Sequence, residues 1–198
     1  MRRIDVEGFE AKFRDNIDPW NYTHSPFEGF KRRILINACG RYKHGRVLEL
    51  GCAIGETTRS LARLSLRLLA VDGSSTALDE AQRRLSGANH VQFCCAVLPQ
   101  EMPRGPYDLI VVSELAYYLP AHRLRPLAAN IIAALAPRGW VVVLNHRRAF
   151  DDAAMLPALA HRRLGDLLKR RLIMVFDRSY RHFDVLTLQK PAAHPSSR

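Results

Sequence analysis

Apolar residues along this chain follow two rhythms. Short unbroken runs, such as Val47-Leu48 before Glu49, Leu68-Leu69-Ala70-Val71, Leu109-Ile110-Val111-Val112 and Trp140 to Leu144, alternate with longer stretches in which apolar positions recur every three or four residues. Unbroken runs of that length suit strands buried on both faces of a parallel sheet, and the recurring pattern suits amphipathic helices. The pattern predicts strands at 46–50, 67–72, 90–95, 107–113 and 140–144, and helices at 56–65, 75–86, 121–136 and 153–169. Two further β-rich runs, 171–178 and 183–190, are separated only by Arg178-Ser179-Tyr180-Arg181-His182, too short a link for a crossover, so this last pair is antiparallel. Ahead of the alternation, residues 1–25 are polar and predict a short helix followed by a loop through Asp18-Pro19-Trp20-Asn21-Tyr22. Ser25-Pro26 then opens a helix with Phe27, Phe30, Ile34 and Ala38 on one face and Gly40 at its end. The expected fold is α/β: a doubly wound seven-stranded sheet with a C-terminal antiparallel hairpin. Residues 1–40 are expected as a helical segment over a domain at 41–190, with 191–198 a disordered tail.

Chemistry concentrates where the first strand ends. Val47-Leu48-Glu49-Leu50 runs into Gly51-Cys52-Ala53-Ile54-Gly55, and the second strand ends in Asp72, 21 positions after Gly51. That is the first half of a nucleoside-binding βαβ unit, in which glycines let backbone approach the ligand and the second acid accepts ribose hydroxyls. Glu56 stands where a P-loop has lysine, and only two glycines occur where a dinucleotide fingerprint has three. With Glu49 and Glu56 on either side, the turn disfavours a pyrophosphate and suits a positively charged, phosphate-free ligand. S-adenosylmethionine has an ammonium and a sulfonium. The competing reading is that Gly51 and Gly55 only let a helix pack on a strand.

The 198 residues bound a single domain, and 47% hydrophobic with 25% charged residues is ordinary for a globular chain. The sequence has no apolar run of membrane-spanning length, and Met1-Arg2-Arg3-Ile4-Asp5 does not begin a secretory signal. Cys39, Cys52, Cys94 and Cys95 have neither disulfide-framework nor zinc spacing, so the cytoplasm is the expected compartment and no metal is expected. The net charge of +11 keeps a nucleic-acid partner open, although the basic groups, Lys31-Arg32-Arg33, Arg83-Arg84, Arg147-Arg148 and Arg162 to Arg171, are scattered and suit solvated helix faces.

The Glu49-Leu50-Gly51-Cys52 turn and the β/α alternation resemble class I S-adenosylmethionine-dependent methyltransferases over roughly residues 40–190. Two further stretches resemble the NodS-like nodulation N-methyltransferases: Asp18-Pro19-Trp20-Asn21-Tyr22 with Ser25-Pro26-Phe27-Glu28 and Lys31, and Ser113-Glu114-Leu115-Ala116-Tyr117-Tyr118-Leu119. The resemblance implies a Rossmann-like methyltransferase fold, S-adenosylmethionine as cofactor with S-adenosylhomocysteine as product, and N-methylation of the free amine of a deacetylated glucosamine in a chitooligosaccharide. Its implied partner is an amine-bearing sugar, with the protein a monomer or homodimer. Another metabolite hydroxyl or amine, RNA, or a non-catalytic cofactor-binding module are the alternatives.

The resemblance also assigns roles. Gly51, Cys52 and Gly55 would approach the methionine and adenosine through backbone, beside Glu49. Asp72, with Gly73, would hold the ribose. Val97 stands where an acid commonly binds the adenine amino group, so backbone at Val97 and Leu98, or Glu101, would have to serve. Ser113 and Glu114 would line the cofactor, Trp20 would cover it or close the core edge, and Lys31 would meet the methionine carboxylate. Glu114, Tyr117 or Tyr118 would accept hydrogen bonds from the amine and orient it, unless the tyrosines only pack the entry of the next helix. His146 is either an acid/base facing the pocket or an exposed strand-end residue.

Overall fold

The computed structural model describes residues 4–192. The expected tail at 191–198 lies largely outside the described residues. Helices α1 (Val6–Asp15) and α2 (Pro26–Ala38) precede β1 (His44–Leu50), α3 (Glu56–Ala62), β2 (Ser65–Asp72), α4 (Ser75–Arg84), β3 (Val91–Cys95) and β4 (Tyr107–Ser113). A 3₁₀ turn at Ala116–Tyr118 leads to α5 (Ala121–Ala134), β5 (Leu135–His146), α6 (Pro157–Lys169), β6 (Ile173–Ser179) and β7 (Phe183–Gln189). The sheet order is β3-β2-β1-β4-β5-β7-β6, with β1 to β5 parallel and β7 antiparallel between β5 and β6. The doubly wound sheet and its terminal hairpin are therefore as expected. The order reverses between β1 and β4, whose successive crossovers leave in opposite directions. The carboxyl ends of those two strands open the crevice in which such folds bind ligands.

The sheet is covered on both faces. One core packs Leu48, Leu50, Ile110, Val112, Val141 and Val143 against α5 and α6, and the other packs Val47, Leu109, Val111, Val142 and Leu144 against α2. Alternate residues of the same strand thus serve opposite cores, which is why these strands read as continuous apolar runs.

Among the departures from the pattern, two concern helix boundaries and one the buried face of α2. The helix expected to 136 stops at Ala134 because Leu135 pairs with Tyr107, and β5 then passes through Arg138 at φ 62 before resuming register at Trp140. The helix expected from 153 begins at Pro157, since the amides of Ala154 and Met155 donate instead to the Tyr117 carbonyl. On α2 the buried positions are Lys31 and Leu35, whereas Phe30 is half-exposed against Tyr180 and Phe183. Ser25 and Pro26 do start α2 as predicted, with the Ser25 hydroxyl accepting the Glu28 amide at 3.3 Å.

Helix α1 is strapped across the crevice at two points. On one side the Glu10 carboxylate accepts the hydroxyls of Ser74 and Thr76, each at 2.6 Å, and the Thr76 amide at 3.3 Å. That places an anion on the N-terminus of α4, where unpaired amides and the helix dipole favour it. On the other side Lys12 binds Asp152 at 2.6 Å, and the Ile4 amide reaches the Asp152 carbonyl. The Ser74 and Thr76 hydroxyls hold the Glu10 carboxyl down at about 2, below its ordinary 4.5. A depressed acid stabilises the fold above the ordinary value and loses that contribution as pH falls toward 2. Glu10→Ala is expected to lower stability by about 1–3 kcal/mol at pH 7, with a smaller difference from wild type at pH 3. Denaturant unfolding at the two pH values, with hydrogen exchange along α1, measures this; equal differences at both would contradict the clamp.

Candidate active site

A cavity lies over the carboxyl ends of β1 and β4, under α1 and α2. Of the residues singled out from the sequence, Trp20, Lys31, Gly51, Cys52, Asp72, Gly73, Val97, Leu98, Ser113, Glu114 and Tyr118 all line it. Positions distant in the chain converge because β1, β2 and β4 end at the same height and α2 crosses above them.

At the end of β1, Gly51 has φ +78, a conformation that penalises any side chain with a Cβ, and its amide reaches back to the Val71 carbonyl at 2.8 Å. Ala53, at φ 47, donates its amide to Asp72 Oδ2 at 2.8 Å, while Asp72 Oδ1 accepts the Ser74 amide at 3.0 Å. The carboxylate is thereby fixed beside the turn with lone pairs left for a ligand diol.

Three expected residues lie elsewhere. Gly55 does not line the cavity: an added Cβ would meet Ala81 and Leu85 of α4 at 3.0 Å, so this glycine serves helix packing. Tyr117 is buried behind the wall and donates its hydroxyl to Glu114 Oε2. Glu49 is 1% exposed beneath the turn, has an Oε2 without a hydrogen-bond partner, and does not line the cavity. Burial pushes its carboxyl up to about 8, so near neutral pH it is mainly protonated.

Glu56 does line the cavity, but Arg84 at 2.9 Å and Arg32 and Arg59, each at 3.7 Å, neutralise it. The expectation that Glu49 and Glu56 together surround the turn with negative charge is therefore corrected: one is uncharged and the other is paired.

Glu28, Lys31 and Glu114 form a charged cluster on the cavity wall, apart from Asp72 and Arg32. The Lys31 ammonium is 2.8 Å from Glu28 and 3.4 Å from Glu114, with its side chain only 7% exposed. Glu114 is held at φ 57, its amide bonded to the Leu144 carbonyl, and its Oε1 is buried with no hydrogen bond of its own. Lys31 is thus already held by two carboxylates, whereas Arg32, also on the cavity wall, has contacts no closer than 3.5 Å and is the freer cation for a carboxylate.

Sequence reasoning did not select Arg32. Its neighbour Lys31 belonged to the recognised motif, and helical phase alone did not show that both face inward. Phe9 and Phe13 were also missed, since the polar N-terminal stretch signalled only a helix. With Trp20 and Tyr22 they form an aromatic wall, Phe9 meeting Tyr118 edge-on at 4.7 Å.

At the far rim, Val97 has no acid, but its amide donates to Glu101 Oε2 at 2.6 Å. Glu101 itself is bonded to the Val97 backbone but does not line the cavity. His146 is half-buried between Phe27 and Phe150, outside the cavity, and burial followed by Lys31 lowers it to about 4, which makes it neutral at pH 7. Among the described residues, no group of three or more His, Cys, Asp or Glu is placed to hold a metal ion.

Comparison with known proteins adds to this geometry. The family model described as Nodulation protein S (NodS) matches residues 6–154. Nodulation protein S of Rhizobium tropici is 32% identical over 160 residues, 75% of this chain and 66% of that protein. The Azorhizobium caulinodans protein of the same name is 31% identical over 149 residues, 73% of this chain and 70% of its own. The chain spans about two thirds of the length of these relatives. The crystal structure of N-methyltransferase NodS from Bradyrhizobium japonicum WM9 in complex with S-adenosyl-L-homocysteine has the same fold. Its TM-score is 0.79 at 23% identity, covering 92% of this chain and 98% of that one.

Because Glu49 is uncharged at neutral pH, it carries a pH signature. Its folded value lies above the ordinary 4.5, so the folded protein keeps a proton that the unfolded chain releases, and stability declines as pH rises from about 4.5 through 8. Glu49→Gln is expected to remove a decline on the order of a few kcal/mol. Urea unfolding at pH 5 and pH 9 tests this, and identical pH profiles for the two proteins would refute it.

Proposed function

Since the chain belongs to the nodulation protein S (NodS) family, we propose that it is an S-adenosylmethionine-dependent N-methyltransferase acting on an amine-bearing sugar or glycoside. The observation that carries this reading is the single cavity running from Asp72, past the Gly51 turn, to Glu114 at the sheet's switch point.

The residues present fit the cofactor. Asp72 has free acceptor capacity for ribose hydroxyls, and Val97 and Leu98 offer a flat wall for adenine with Glu101 at its edge. Gly51 and Cys52 bring backbone close to the methionine portion, and Arg32 and Lys31 supply cations for its carboxylate. When bound, the cofactor supplies a methyl group on an already activated sulfonium leaving group, so the protein's task is alignment and exclusion of water.

The exclusion falls to residues 4–40, whose Phe9, Phe13, Trp20 and Tyr22 line the cavity. Alignment falls to Glu114. An amine attacks only with its lone pair free, so the group that holds it must accept hydrogen bonds rather than donate them. Glu114 Oε1 is a buried acceptor without a hydrogen bond, and the Tyr117 hydroxyl on Oε2 keeps the carboxylate from rotating. Tyr118 lines the cavity with its phenol pushed upward by burial, so it acts as a neutral hydroxyl and not as a base.

A radiolabelled-methyl assay against chitosan oligomers, aminoglycosides and bulk RNA tests the reading. Label is expected in an amino-sugar acceptor, with about 10²-fold or greater loss of kcat/KM for Glu114→Gln while S-adenosylhomocysteine affinity is retained. Asp72→Ala is expected instead to weaken S-adenosylhomocysteine binding in calorimetry by about ten- to hundredfold. Label in RNA alone would overturn the acceptor, and binding without turnover on any acceptor would leave only a cofactor-binding module.

A further inference from the structure

Beside the cavity, the turns following β5 and β6 bring together cations that the methyl-transfer machinery does not use. The Arg147 amide bonds to the His182 carbonyl at 2.9 Å, fixing the 146–148 segment against the β6–β7 turn. This places Arg147, Arg148 and Arg181 around His182 and His146. Arg148 and Arg181 are exposed, and among the described residues neither makes an ion pair. Arg147 reaches Asp184 only at 3.6 Å. The nearby Glu28 is occupied by Lys31. Both histidines are driven toward the neutral form, first by burial, and His182 then by Arg148 and Arg181. Arg148 and Arg181, like charges near each other without an ion-pair partner among the described residues, form a surface complementary to an anion, and guanidinium groups suit oxyanions in particular.

Phe27 lies between the cluster and Lys31 of the cavity wall. The Phe27 ring lies 5.6 Å from the Lys31 ammonium on one side, and 5.5 and 5.9 Å from the rings of His146 and His182 on the other. One or two sugar units laid across Phe27 would bridge the two places. Their apolar ring faces would rest on its aromatic surface.

We infer that the methyl acceptor carries an anionic group, a phosphate or sulfate ester or a carboxylate, which Arg148 and Arg181 bind beside His182 while the amine reaches Glu114. The inference rests on the amine-methyltransferase reading for the acceptor's other end, but the anion subsite can be tested without turnover. In the first arm, amino-sugar mono- and disaccharides are compared as acceptors with and without a phosphate, sulfate or carboxylate. Wild-type protein is expected to prefer one anionic form by about ten- to hundredfold in kcat/KM, mostly through KM, and the identity of that form names the source of the charge. Arg148→Ala/Arg181→Ala is expected to abolish the preference while leaving turnover of the neutral acceptor and S-adenosylhomocysteine affinity unchanged. In the second arm, inorganic phosphate is titrated while histidine side-chain resonances are followed. Saturable shifts of His182 in wild type, absent from the double variant, are expected. An anionic-to-neutral ratio untouched by the double substitution, or His182 shifts that persist in the variant, would overturn the subsite. If no amino sugar is methylated at all, the amine reading fails and the phosphate titration alone decides the subsite.

Discussion

A lysine ammonium removed from water is stable only while it is paired, and Lys31 is paired with Glu28 from its own helix and Glu114 from the end of β4. Removing one partner of a buried pair is destabilising by several kcal/mol because the other charge is stranded. The same contact docks α2 over the sheet and aims Glu114 into the cavity. Glu114 meets it by adopting a left-handed backbone that a β-strand exit would not otherwise favour, with Tyr117 holding the opposite oxygen. Helix placement and site geometry thus depend on one cluster of charge, which explains how an acid can be kept both buried and available.

The rest of the cavity uses a different economy of polarity. At the β1–α3 turn, most of the binding capacity is main chain, with Asp72 tied to two amides and Gly51 admitting close approach. Glu49 adds no charge there and Glu56 is neutralised by arginines. What sets this turn apart from a P-loop is therefore its shape and the missing lysine. Negative charge around the glycines contributes little.

Several of the 30 lysines and arginines are paired locally, although the excess of +11 remains. Arg83 and Arg84 bind Glu80, Arg84 also binds Glu56, and Lys169 binds Asp177. Such exposed or half-exposed pairs contribute little to stability, but they leave less free charge to draw a polyanion to these surfaces. Arg148 and Arg181 beside His182 differ in having no such partner among the described residues.

Apolar runs together with shorter β-rich stretches determined the number of strands, and the short link at 179–182 determined that the last pair is antiparallel, because chain length limits which connections are possible. The glycine turn and Asp72, picked out from the sequence, both line the cavity, and the left-handed backbone at Gly51 is a local property of the residue. What depended on tertiary structure was every statement about which side of an element a side chain serves. Gly55 faces α4, Tyr117 stands behind Glu114, and Arg32 and Phe9 line the cavity, all because of how helices dock on the sheet. The ionisation of Glu49 was equally out of reach, since desolvation is set by neighbours distant in sequence. Local spacing encodes backbone conformation, whereas orientation and charge state belong to the packed whole.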